Sequence, residues 1–308
     1  MSKSRINFIL WVAVFLVVSS PLAGEKVSLK ISYNTASVSK GDMNTWIDSY
    51  NTFWKDWQAV NNGQLNGQID PLNYGSKYEV ELRIPIIFGL ALNLSGSHFN
   101  NASGGAFDFV HETQNQSETD SIENEIKGYP IKIGFSYSQS LPFLENLYIF
   151  AGVGRHITFL KYRYLQDYTL RIGEYSYNLK NDYTYNSEAL GVYASLGLEY
   201  DLIKHIAIVI EAEKVWSKAD GFKGPYESVL IDPFEGTQTK QGKASLYFYE
   251  NKQWWSNTYY SSLSGHNKRP EDPEDEDYPV GAVDITNIRQ GEFDLSSLSF
   301  KIGIRFKF

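Results

Sequence analysis

The last sixteen residues, Phe293 to Phe308, read FDLSSLSFKIGIRFKF and limit what the chain can fold into more than any other stretch. From Leu298 onward one set of alternate positions is apolar: Leu298, Phe300, Ile302, Ile304, Phe306 and Phe308. Ser299, Lys301, Gly303, Arg305 and Lys307 fall between them. A period of two over that length is an extended strand with two unlike faces. A chain that ends inside such a strand must pair it on both sides or leave an open edge. Lipid excludes an open edge, and closure into a barrel removes it.

The same alternation recurs along the chain. Val27 to Asn34 sets Val27, Leu29, Ile31 and Tyr33 against Ser28, Lys30, Ser32 and Asn34, and Lys77 to Ile86 sets Tyr78, Val80, Leu82, Ile84 and Ile86 against Lys77, Glu79, Glu81, Arg83 and Pro85. Further strands are expected at Leu90 to Phe99, Ile126 to Tyr137, Leu147 to Leu160, Glu188 to Tyr200 and Ile206 to Val215. The charged faces would be costly in the apolar core of a soluble barrel and suit a polar bore, where opposite charges pair.

A terminal strand of alternating hydrophobics that closes on phenylalanine resembles the assembly signature of bacterial outer-membrane β-barrel proteins. The mature chain looks like a small barrel of the OmpA, OmpX and OmpW type. The resemblance implies that Phe308 belongs to the signal read by the outer-membrane insertion machinery, and that outer-membrane lipids and lipopolysaccharide surround the protein. The expected fold is all-β: a closed antiparallel transmembrane β-barrel of about eight strands. Connections alternate long and short, which predicts long extracellular loops, brief periplasmic turns and both termini in the periplasm of a Gram-negative outer membrane. Ten strands is the alternative, if Ala244 to Glu250 and Gln253 to Ser261 add a hairpin within the long insertion Trp216 to Glu292. Eight strands enclose a bore filled by side chains.

Lys3 and Arg5 precede an apolar run from Phe8 to Val18 and a small-residue end at Ala23 and Gly24, the pattern of a secretory signal peptide over 1–24. The barrel domain then occupies 25–308. Removing the leader takes away Lys3 and Arg5 and no acid, so the net charge of −8 becomes −10. That balance argues against a nucleic-acid partner. The chain has no cysteine, so no disulfide supports it. Its 22 tyrosines and 7 tryptophans suit membrane interfaces, where one end of the ring is apolar and the other wet.

Two groups of residues are candidate functional features. Lys30, Glu79, Glu81, Arg83, Lys132, Glu199, Glu211, Glu213, Lys301, Arg305 and Lys307 face inward and form a lumen charge network, either a plug of ion pairs or a gated ion path. Trp46, Tyr50, Phe53, Trp54 and Trp57 recur at one-turn spacing on a helix, capped by Asp42 or Asn44. They either cover the barrel mouth or form an aromatic platform for an unknown surface ligand. The acidic run Arg269 to Pro279 reads as a solvated loop crest, and it lacks the glycine turn of a calcium loop.

No catalytic residue, metal site or cofactor is expected. His98, Phe99, Asn100, Asn101 and Ala102 are similar to the His-x-Ser-Asn-Gly pattern of outer-membrane lipid A deacylases, but Asn100 stands where that family has its serine, and an amide is not a nucleophile. The expected function is therefore non-enzymatic: binding by surface loops or an envelope-structural, porin-like role. A narrow channel for small or apolar solutes is the alternative, followed by lipid-modifying catalysis.

Overall fold

The computed structural model describes residues 26–38, 41–72, 77–87, 89–112, 115–142, 144–253, 259–264 and 283–308. The leader read at 1–24 and the acidic run at 269–279 lie outside them. In chain order the elements are β1 (Ser28–Val38), α1 (Asp42–Asn61), β2 (Gly63–Ile69), β3 (Lys77–Ile87), β4 (Leu90–Ser97), β5 (Phe99–His111) and β6 (Gln116–Leu141). There follow β7 (Leu144–Ile172), β8 (Tyr175–Ile203), β9 (Ile206–Ala219), β10 (Lys223–Asp232) and β11 (Gly236–Ser245). The last are β12 (Tyr247–Gln253), β13 (Tyr259–Ser264), β14 (Val283–Gln290), β15 (Phe293–Asp294) and β16 (Ser297–Lys307).

Eight strands close a ring in the order β1, β3, β4, β6, β7, β8, β9, β16, every neighbouring pair antiparallel. The first and last strands join it, with Lys30 opposite Arg305 and Tyr33 opposite Ile302. The ten-strand alternative is corrected here: β12, β13 and β14 form a separate three-stranded sheet within the insertion. A row of paired residues leaves β16 at Ser297, passes through Val215, Tyr193, Gly154, Gly134, Asn93, Arg83 and Ser28, and returns to β16 at Lys307, ten residues further on. Such stagger tilts the strands, and with eight of them the bore holds side chains and little else.

Glycine lets one large ring, that of Tyr193, lie against the inner wall over β7 and β6. A Cβ on Gly134 would stand 2.5 Å from the Tyr193 hydroxyl, and one on Gly154 would stand 2.7 Å from Cε1 of the same ring. The short β3–β4 turn needs glycine for another reason, since Gly89 sits at φ +81°.

The strands run much further than their apolar faces suggest. β6 is 26 residues long, and β7 and β8 are 29 each, where about 9–11 residues cross a bilayer. The expected ends at Ile126, Leu160 and Glu188 are thus corrected outward, because the ladder continues after the apolar face has stopped. β5 takes over from β4 beside the upper half of β6: Gly96 lies opposite Ile131 and Phe99 opposite Gly128. Pro130, with no N–H to donate, falls at that interruption. β10 and β11 extend the upper sheet beyond β8, and β2 pairs with β5. The result is an eight-stranded barrel carrying a tall tower.

Candidate functional site

In the lower barrel the eleven charged residues expected in the lumen all point inward. Lys132 meets Glu79 at 2.6 Å and Glu213 at 2.6 Å, and Lys301 meets the same two acids at 2.8 and 2.7 Å. One layer below, Lys30 bridges Glu211 at 2.6 Å and Glu81 at 2.8 Å. Arg305 joins Glu81, at 2.9 Å, to Glu199. At the lower mouth Glu199 also receives Lys307 at 2.8 Å and Arg83 at 3.6 Å.

Strand register explains the layering. Lys30 lies across from Glu81 on one side and Arg305 on the other, and Lys301 lies across from Glu211. Lys30, Glu79, Lys132, Glu211, Glu213 and Lys301 each expose 3% of their surface or less, so water does not reach this level of the bore.

Partners outside the expected set include Asp201, Phe150 and Tyr193. Asp201 takes Lys307; it belongs to the end of β8, which reads as a turn. Phe150 lies under the Arg305 guanidinium at 5.7 Å, and Tyr193 under the Lys132 ammonium at 5.6 Å. With Asp201 included, the six cations Lys30, Arg83, Lys132, Lys301, Arg305 and Lys307 face six carboxylates, Glu79, Glu81, Glu199, Glu211, Glu213 and Asp201. The network is electrically balanced as built.

Above this level the two faces exchange character. On β6 the outward residues change from Ile131 and Tyr129 to Lys127, Glu125 and Glu123, while the inward ones change from Lys132 to Ile126 and Ile122. On β7 the outward series goes from Ile157 and Phe159 to Lys161 and Arg163, and the inward one becomes Leu160, Tyr162 and Tyr164. Both changes fall in one row, since Tyr129 lies opposite Phe159 and Lys127 opposite Lys161. The upper chamber is therefore an ordinary apolar core wrapped in a polar wall.

Helix α1 fills that core. Trp46 and Trp54 are buried, and Tyr50, Phe53 and Trp57 pack partly buried against the same cluster. Trp54 stacks on Phe107 at 5.2 Å, and Trp46 meets the edge of Tyr164 at 5.8 Å. The aromatic face is thus turned into the tower rather than presented to solvent. The helix lacks the side-chain cap expected of Asp42 or Asn44: Gly41 occupies the cap position. Asp42 instead holds Arg289 and accepts a hydrogen bond from the Glu292 N–H at 2.8 Å. Asn44 exchanges two hydrogen bonds with the backbone of Leu72, and Asn51 two with Ile69.

Tyr50 donates a hydrogen bond to Asp120, which Gln166 also contacts at 3.0 Å. Burial pushes the Asp120 carboxyl above its ordinary range, although hydrogen bonds from Tyr50 and Gln166 oppose the shift. Burial and the neighbouring carboxylate both raise the Tyr50 phenol. Stacked rings continue from Tyr162 through Tyr185 and Tyr183 to Tyr226, with centroids 5.9, 5.8 and 5.4 Å apart.

No family model matches the chain, and no curated protein matches it. Among solved structures it is similar to the outer membrane protein OprG from Pseudomonas aeruginosa, at 11% identity and a TM-score of 0.37, covering 92% of this chain and 96% of that one. It is also similar to a major outer membrane protein from Thermus thermophilus, at 13% identity and a TM-score of 0.30, covering 92% and 99%. At such scores no residue's role is carried across, and the barrel rests on the closed ring of strands.

The other sequence features are scattered. His98 lies on the outside with its ring 5.0 Å from that of Tyr129, and Asn100 is exposed. Phe308 is 69% exposed, and its N–H bonds the carbonyl of Val27 at 3.0 Å.

Proposed function

We propose that the protein is an integral outer-membrane β-barrel with a closed bore, whose rigid tower stands above the membrane as a non-enzymatic surface structure. The exchange of faces along β6 and β7 carries this reading. The same strands turn apolar residues outward below Tyr129 and Phe159 and polar residues outward above them. A strand keeps its geometry through such a change only if the medium around it changes, from hydrocarbon to water. The buried ion pairs support a bore that does not conduct, and the core packed around α1 supports a preformed scaffold for surface contact or envelope reinforcement.

The test has two parts. Protein refolded in detergent micelles should migrate differently on a denaturing gel before and after boiling, and should give no current steps in a planar bilayer. Discrete steps would favour the channel reading. Solubility as a monodisperse species without detergent would remove the membrane altogether.

A further inference from the structure

Two cations point outward in the wrong place for a barrel in hydrocarbon. Arg155 on β7 is exposed on the apolar face, with Ile133 opposite it on β6 and Val192 opposite it on β8. Lys214 on β9 lies opposite Ala194 on β8 and Leu298 on β16. Above Arg155 on its own face stand Ile157 and then Phe159; above Lys214 stands Trp216, 48% exposed. Each outward step climbs about 5 Å along a tilted barrel. Lys214 is thus rooted about 5 Å below Trp216, and Arg155 about 10 Å below Phe159.

Among the described residues neither cation meets a carboxylate. On the outer face Glu188, opposite Phe159, is the acid nearest Arg155, and Asp294, opposite Lys218, the acid nearest Lys214; no ion pair joins either of them to these cations. A lipid-facing cation destabilises a barrel more the deeper it sits, so both side chains must rise to the headgroup layer and find negative charge there.

The register brings them together. Arg155 and Lys214 are two strands apart and one outward step out of line, so their Cα atoms are about 12 Å apart. Val192 and the small Ala194 lie between them. A third cation stands higher on the same wall: Lys161 faces Lys127 directly across the β6–β7 ladder, a like-charge placement that is unfavourable without an anion. Lys127 has Glu125 at 2.7 Å, whereas Lys161 makes no ion pair among the described residues. On the opposite wall, the outward residues at the rim are Thr35, Tyr78 and His98, none of them a fixed charge. Among the described residues the outward cations at this level gather over β6 to β9.

We infer that Arg155 and Lys214 form a headgroup site for a phosphorylated lipid of the leaflet on the tower side. The acyl chains lie over Val192 and Ala194, and Trp216 flanks the headgroup. Two cations side by side on one wall suit a dianionic phosphate, whose oxygens accept the planar fork of arginine in pairs. The inference rests on the proposed membrane barrel and adds a specific lipid class and position to it.

Native mass spectrometry in a nonionic detergent tests it, with diphosphoryl lipid A and the same lipid stripped of its phosphates as the two probes. Wild-type protein should retain the phosphorylated probe about tenfold more than the stripped one. Arg155→Gln with Lys214→Gln should fall to the stripped-lipid level, while Lys204→Gln at the other end of the barrel should match wild type. Heat-modifiable migration reports whether each variant has folded, and the charge-preserving pair Arg155→Lys with Lys214→Arg should retain the lipid. Equal retention of both probes by wild type, or full retention by the double glutamine variant, overturns the site. If wild type needs no detergent, the membrane reading fails instead, so the two failures are distinguishable.

Discussion

Lys132 on β6 reaches across the bore to Glu213 on β9, 2.6 Å away, although the two strands are not neighbours in the ring. Both side chains are buried, and both also belong to the group completed by Glu79 and Lys301. Taking one charge from a buried balanced set leaves an uncompensated ion, at a cost of about 3–5 kcal/mol. Glu213→Ala should therefore lower the stability measured by urea unfolding in micelles by that amount. Lys132→Met combined with Glu213→Leu removes one charge of each sign and should recover most of the loss. A single variant as stable as wild type would mean that the network is solvated in the membrane.

Asp120 should make the tower less stable as pH rises. Its carboxyl is held above the ordinary range by burial, so between the unfolded value and the raised one the folded chain binds more protons than the unfolded chain. Stability therefore falls as pH climbs through that window, starting from about 3.9. Asp120→Asn still accepts the hydrogen bond from Tyr50 and should flatten the profile from the acid side upward. Thermal unfolding of both proteins at stepped pH, followed by near-ultraviolet circular dichroism, checks it; parallel profiles would show that Asp120 ionises freely.

Gly154 should not tolerate a methyl group. An added Cβ would come within 2.3 Å of the Ile133 carbonyl oxygen and 2.7 Å of the Tyr193 ring. The backbone oxygen cannot swing aside as a flexible side chain would. Gly154→Ala should cost about 1–3 kcal/mol through overpacking, read from the urea midpoint. Gly173→Ala, at the β7–β8 tip where nothing lies within 4 Å, instead tests the cost of its φ of +61° alone.

The closed barrel was legible because apolar and charged residues alternate strictly wherever lipid and bore are the two environments. Leu298 to Phe308 and Val27 to Asn34 gave the closing pair of strands, and the inward charges came with them. The tower was not legible for the same reason. Above Tyr129 and Phe159 the period of two continues, but the apolar residues Ile126, Ile122 and Leu160 have moved to the inner face. A template that follows one face reads that exchange as the end of the strand. The helix was legible from the spacing of Trp46, Tyr50, Phe53, Trp54 and Trp57, yet its partners were not. Asp42 and Asn44 are good capping residues that tertiary contacts have drawn elsewhere, to Glu292 and Leu72.

Asn51 fastens that helix to β2 in the tower. Its side-chain amide donates to the Ile69 carbonyl at 2.9 Å and its oxygen accepts from the Ile69 N–H at 2.9 Å, while the Ile69 side chain is itself buried. Asn51→Leu keeps the branched outline and favours the helix, but leaves two backbone groups without their partner, at about 1–3 kcal/mol for each that stays dry. The strand ladder of the lower barrel does not pass through this contact. The variant should therefore keep the wild-type gel shift on boiling while the emission of buried Trp46 and Trp54 moves to the red at lower denaturant than in wild type. Coincident shifts in gel migration and emission would instead show that α1 and the barrel unfold as one unit.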